Sequence, residues 1–117
     1  MRGKINIIGE IGKEVFLKDV QEQVQVQGDC IGYDCYIDSI GGLTNEGESI
    51  YLYLLTLPNL YTYAGKQVDS IAVLIFLSGK KRFITEENES FLIHNVFVDI
   101  EKVLSVFDEI QIETLNK

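Results

Sequence analysis

The chain has 117 residues with 46% hydrophobic and 24% charged, enough for a single domain over 1–117 with a core of its own. Eighteen acidic against ten basic residues leave a net charge of −8, which disfavours nucleic acid and anionic membrane surfaces as partners. No apolar run approaches the roughly 20 residues of a membrane span, the N-terminal apolar stretch is too short for a signal peptide, and one histidine with two cysteines falls short of a zinc site.

The expected location is therefore cytoplasmic, where Cys30 and Cys35 fit free thiols, a disulfide being the alternative. Lys4–Ile8 is rich in β-branched residues and predicts a first strand. After Gly12, Phe16, Val20 and Val24 recur every four residues and predict a helix over Glu14 to about Val26. Its second half, Gln23–Gln27, also alternates with period two, so a strand remains open there. Tyr33–Ser39 predicts the next strand, running into Ile40-Gly41-Gly42. A helix follows, with Thr44 as expected N-cap, Glu46 and Glu48 at the positive end of its dipole, and an end near Pro58. Leu60–Ala64 predicts a short strand. The segment Gly65–Gly79 holds seven unbroken apolar residues, Ile71–Leu77, and reads as a core helix starting at Ser70 and closing at Gly79. Lys80-Lys81-Arg82 reads as a solvated turn. Arg82–Thr85 and Ser90–His94 predict two short strands, and Asp99 to about Leu115 a final helix. Strands alternating with helices predict an α/β fold with largely parallel strands.

Three features carry possible chemistry. Gly41-Gly42, between a strand and a helix start, is either a tight turn or a backbone able to present N–H groups to an anion or oxyanion. Ser70 is either a helix cap or a nucleophile, and in the second role it needs a base within reach. His94 ends the apolar run Phe91-Leu92-Ile93 and is either a satisfied structural group or that base; any serine–histidine pair must use it. Together the three make the parts of one acyl-transfer site.

These residues resemble the proteolytic subunit of the Clp protease and its relatives, including phage prohead peptidases. The likeness rests on Ile37-Asp38-Ser39-Ile40-Gly41-Gly42, Gly47, Ile50-Tyr51, Asp69-Ser70-Ile71-Ala72, Leu77-Ser78-Gly79 and Phe91-Leu92-Ile93-His94-Asn95. Order and spacing agree from Ile5 to about His94. The resemblance implies an α/β fold of repeated β-β-α units, shared with the crotonases and here cut short at the C-terminus. It implies a serine endopeptidase in which Ser70 attacks the peptide carbonyl and His94 takes its proton. The N–H of Ile71 and of the Gly41-Gly42 pair would hold the oxyanion. It further implies a peptide or unfolded-protein substrate, a homo-oligomeric ring, a separate ATP-driven unfoldase as partner, and no cofactor. The chain carries no Gly-x-x-x-x-Gly-Lys-Ser/Thr loop of its own.

The sequence departs from the family in several places. The family's third catalytic residue, an aspartate, lies downstream of the final helix, and Lys117 comes before that position. Asp69 stands where the family has a small residue, free on sequence grounds to face His94 or solvent. Ile40 replaces a proline, and Ala72 a glycine common among Clp subunits. Two other functions stay open: a catalytically impaired assembly or peptide-binding protein, and a crotonase-type enzyme acting on acyl-CoA.

Overall fold

The computed structural model describes residues 1–92 and the pair Glu113–Thr114. Strand β1 (Arg2–Ile8), helix α1 (Leu17–Gln27), β2 (Gly32–Ser39), α2 (Thr44–Leu54), β3 (Leu60–Asp69), α3 (Ile71–Phe76), β4 (Lys81–Ile84), β5 (Ser90–Leu92) and β6 (Glu113–Thr114) follow in chain order. They build one sheet in the order β1-β2-β3-β4-β6, with β5 on β3, and every described pairing is parallel. The predicted α/β class with parallel strands is the one observed.

The sheet is buried on its helix-bearing face. In β1, Gly3, Ile5 and Ile7 alternate inward, and in β2 Tyr33, Cys35, Ile37 and Ser39 do so, the period-two signature of a strand with one covered face. Val20 of α1, Ile50, Tyr51 and Leu54 of α2, and all of Ile71–Phe76 pack onto this face. Each fully buried aliphatic side chain contributes about 1.5–3 kcal/mol, and α3 brings six consecutive buried residues, the longest such apolar run among the described residues.

Several boundaries differ from the sequence expectation. Helix α1 starts at Leu17 rather than Glu14, because Ile11 and Val15 pair across a turn and Val15 enters the core. The helix keeps Gln23–Gln27, which settles the strand alternative against itself. Thr44 is the first helical residue rather than the cap; Leu43 holds the cap position without a side-chain bond. Glu46 serves the neighbouring helix, its Oε2 accepting the Leu17 N–H at 2.7 Å. Strand β3 runs five residues past Ala64, through Gly65 to Asp69. Gly65 is no break there: a Cβ would lie 2.3 Å from Tyr36 Oη, so glycine lets the tyrosine cross β3 and donate to Glu87. Arg82 is buried at 2% exposure, not solvated, because strand alternation turns it inward. Its Nε donates to the Leu77 carbonyl at 3.3 Å, and burial lowers its pKa from the usual value. The predicted final helix lies outside the described residues except at its end, where Glu113–Thr114 is a strand beside β4.

Among the described residues strand β1 is an edge of the sheet, and α1 closes it. Gln27 Oε1 accepts the Lys4 N–H at 2.7 Å and its Nε2 donates to the Lys4 carbonyl at 2.6 Å. Gln23 repeats the pattern on Asn6, at 2.7 and 2.9 Å. One helical turn apart, the two amides imitate a neighbouring strand and occupy groups that would otherwise invite one.

Replacing both glutamines (Gln23→Ala with Gln27→Ala) is expected to speed amide exchange at Lys4 and Asn6 by about tenfold or more and to raise self-association through β1. Exchange measured residue by residue, with light scattering across a concentration series, checks this. The Tyr36 hydroxyl gives a second test. Burial, reinforced by the bond to Glu87, pushes its pKa from 10.0 up to about 12. A folded-state pKa above the unfolded one means stability present below pH 10 and lost as pH rises toward 12. Tyr36→Phe should therefore flatten the alkaline limb of the stability curve, read by denaturant midpoints at stepped pH.

Candidate active site

The site is built where three chain segments converge on the end of β2. Gly41 and Gly42 follow β2 with φ of +98° and +149°. Ile11 flanks them on one side: its N–H donates to the Gly41 carbonyl at 2.8 Å, and its carbonyl accepts the Leu43 N–H at 2.9 Å. A Cβ on Gly42 would sit 2.0 Å from the Ile11 carbonyl oxygen. Ser70 flanks them on the other side, where a Cβ on Gly41 would lie 2.7 Å from Ser70 Cβ and 2.8 Å from the Asp69 carbonyl oxygen. The glycines thus admit contacts that no other residue type allows.

Ser70 joins β3 to α3 with φ +58° and ψ −129°. Among the described residues Asn59 is the other non-glycine with positive φ, and asparagine tolerates that region far better than serine does. The strain costs on the order of 1–3 kcal/mol and is held by the surroundings. It also corrects the capping role. A capping serine has extended backbone and bonds the N–H two or three residues on; Ser70 makes no such bond, and its hydroxyl bonds to none of the described residues. Its backbone N–H donates to the Leu92 carbonyl at 2.7 Å. A serine on a sharp, strained strand-to-helix turn presents its Oγ outward, the geometry of a nucleophile elbow.

Ile71 opens α3 and is buried at 1%. Gly47 of α2 makes room for it: a Cβ there would be 2.3 Å from Ile71 Cγ1. As the first helical residue, Ile71 has no intrahelical acceptor for its N–H. The Gly41 N–H is already engaged, donating to Ser39 Oγ at 3.0 Å. Sequence reasoning gave Ser39 no role, although a hydroxyl two residues ahead of a turn residue is the spacing of a Ser/Thr turn. His94 lies outside the described residues. Beside the glycine loop, an open cleft of about 240 Å³ is lined by Ser39, Ile40, Gln67, Asp38, Glu10 and Ile8 among others. No group of residues suited to hold a metal ion is present among the described residues. Both cysteines are free, and Cys35 is fully buried, which pushes its thiol pKa up. No described helix is long and apolar enough to cross a membrane.

The crowding at Gly41 gives a direct test. Gly41→Ala is expected to cost about 2 kcal/mol or more, adding a clash with Ser70 to the positive-φ penalty. Gly28→Ala is the control, because Gly28 has φ +72° with nothing within 4 Å of a Cβ. It should lose only the conformational share, about 1–2 kcal/mol. Equal losses in urea denaturation would remove the contact from the account.

No protein-family model and no curated protein matches the chain. Solved structures do. ClpP1 from Listeria monocytogenes superposes with a TM-score of 0.68 at 20% identity, over 88% of this chain and 64% of that one. A point mutant of the same protein gives 0.70 at 23%, over 88% and 62%. The ClpP protease catalytic domain from Plasmodium falciparum gives 0.66 at 25%, over 88% and 61%. The resemblance seen in the motifs therefore extends to the fold, which is ClpP-like. The chain spans 61–64% of the length of these structures.

Proposed function

We propose that this chain, ClpP-like in fold, is a serine endopeptidase whose nucleophile is Ser70. The observation that carries the proposal is the strained backbone of Ser70, with φ of +58°, at a strand-to-helix turn packed against Gly41. The fold by itself supports a protease scaffold and not an activity.

In the proposed reaction Ser70 Oγ attacks the scissile carbonyl carbon while His94 accepts the hydroxyl proton. His94 follows Leu92 by two residues, a chain span of no more than about 7 Å, and the Leu92 carbonyl is bonded to the Ser70 N–H. The tetrahedral oxyanion takes hydrogen bonds from Ile71 N–H and from the glycine loop. Within that loop the free donor is assigned to Gly42 rather than Gly41, whose N–H belongs to Ser39. In a trans peptide the Gly42 N–H points opposite to the Gly41 carbonyl. That carbonyl faces Ile11, so the N–H is directed away from Ile11, the flank on which Ser70 stands. Collapse of the intermediate expels the amine, which takes the proton from the imidazolium, and water hydrolyses the acyl-enzyme by the same steps in reverse. A carboxylate orienting the imidazole is worth about 10⁴ in turnover in serine proteases, which makes it the component on which the rate of this chain turns. Ring assembly, peptide or unfolded-protein substrates, an ATP-driven unfoldase and a cytoplasmic setting belong to the same proposal, as does the extent of the domain over 1–117. No cofactor is part of the proposed chemistry.

A fluorophosphonate probe applied to the folded protein is expected to label wild type and not Ser70→Ala. Ser70→Gly should also lose labelling yet exceed Ser70→Ala in stability by about 1 kcal/mol or more, because glycine relieves the positive-φ strain. Absence of labelling in a folded, assembled wild type would overturn the peptidase and leave the assembly or peptide-binding role.

A further inference from the structure

The residue before Ser70 is a buried carboxylate. Asp69 is 7% exposed, and taking a carboxylate out of water costs several kcal/mol unless donors replace the lost hydration. Three donors do. Asp69 Oδ1 accepts the Ser90 hydroxyl at 2.7 Å and the Leu92 N–H at 3.1 Å. Oδ2 accepts Gln67 Nε2 at 2.7 Å. Leu92 is consequently held at both ends of its backbone unit, since its carbonyl accepts the Ser70 N–H at 2.7 Å. The strand that Asp69 grips has only three residues, Ser90–Leu92, and pairs with β3 at Gln67, Val68 and Asp69. So short a strand gains little from its own ladder, and charged hydrogen bonds carry more than neutral ones.

We propose that Asp69 is a positioning residue. Its carboxylate clamps the end of β5 to the turn that carries Ser70, so that the nucleophile's backbone and the chain leading to His94 share one fixed point. This rests on the assignment of Ser70 as nucleophile. Among the described residues Asp69 acts through Leu92 and Ser90.

The test compares two substitutions in the intact protein. Asp69→Ala removes the acceptor for Ser90, Leu92 and Gln67. Asp69→Asn keeps an oxygen for Ser90 and Leu92 and turns an amide toward Gln67, whose own amide can flip to accept. Asp69→Ala is expected to speed exchange of the Leu92 amide and to slow fluorophosphonate labelling of Ser70, each by at least about tenfold. On a peptide substrate the loss should fall in kcat with little change in KM. Asp69→Asn should stay within about threefold of wild type in both readouts. Ser90→Ala is a milder variant that removes one donor, and it should move both readouts in the same direction as Asp69→Ala should that variant fail to fold. Wild-type labelling of Asp69→Ala despite fast Leu92 exchange overturns the proposal. So does a labelling loss in Asp69→Asn with Leu92 still protected, which would make the charge the active property. If wild type itself is not labelled, the nucleophile assignment has failed. Leu92 exchange then still reports whether the clamp exists, which separates the two failures.

Discussion

The described part of the structure depends on how closely backbone can approach backbone at the end of β2. Ile11 presses on Gly42 from one side and the Asp69–Ser70 junction presses on Gly41 from the other. Neither approach leaves space for a Cβ. The Ile11 pairing fixes the direction of each peptide group in the loop, and the Ser39 hydroxyl takes the one N–H that this pairing leaves turned back toward β2. What emerges is a short stretch of main chain whose donors are aimed by hydrogen bonds already made elsewhere. Preorganised donors of this kind stabilise developing charge well, because they need not reorient when it forms.

The same junction explains why Ser70 can hold a backbone conformation that serine avoids. Strain of about 1–3 kcal/mol survives only where the surroundings over-determine it. Here the surroundings are the six buried residues of α3 on one side, the Ser70–Leu92 backbone bond on another, and Gly41 against its Cβ. Phe76 of α3 meets Phe91 of β5 edge-on at 5.3 Å, so the helix after the serine and the strand before His94 also lock to one another through their side chains. The apolar run and the polar turn are therefore one device: the core of α3 supplies the stability that the turn spends.

Polar groups in this protein repeatedly do structural work across elements rather than within them. Gln23 and Gln27 complete the edge of β1, Glu46 of α2 satisfies the first N–H of α1, Thr62 Oγ1 donates to the Phe76 carbonyl at 2.7 Å, and Asp69 collects three donors from β3 and β5. Apart from the Gln67–Asp69 bond within β3, these groups find their partners at separations of 14 to 29 residues. That is why the helices can be short: α3 has six residues, well below the length at which a helix is stable by itself.

The sequence by itself determined the kind of elements and most of their places. Alternation in β1 and β2, the four-residue period of Phe16, Val20 and Val24, and the unbroken run Ile71–Leu77 are local patterns, and burial of one face follows from them directly. The motif order around Gly41-Gly42 and Ser70 also carried the likeness to Clp proteolytic subunits, which the fold shares. Tertiary structure decided the rest, and for one reason: the deciding neighbour lay far away in the chain. Gly65 reads as a break until Tyr36 is found occupying its missing side chain. Arg82 reads as solvated until strand alternation turns it inward. Ser70 reads as either a cap or a nucleophile until its positive φ and the missing cap bond remove the cap. Asp69 had two open orientations; its burial at 7% exposure excludes the one toward solvent, and contacts with residues 21 and 23 positions later show the carboxylate holding a strand in place.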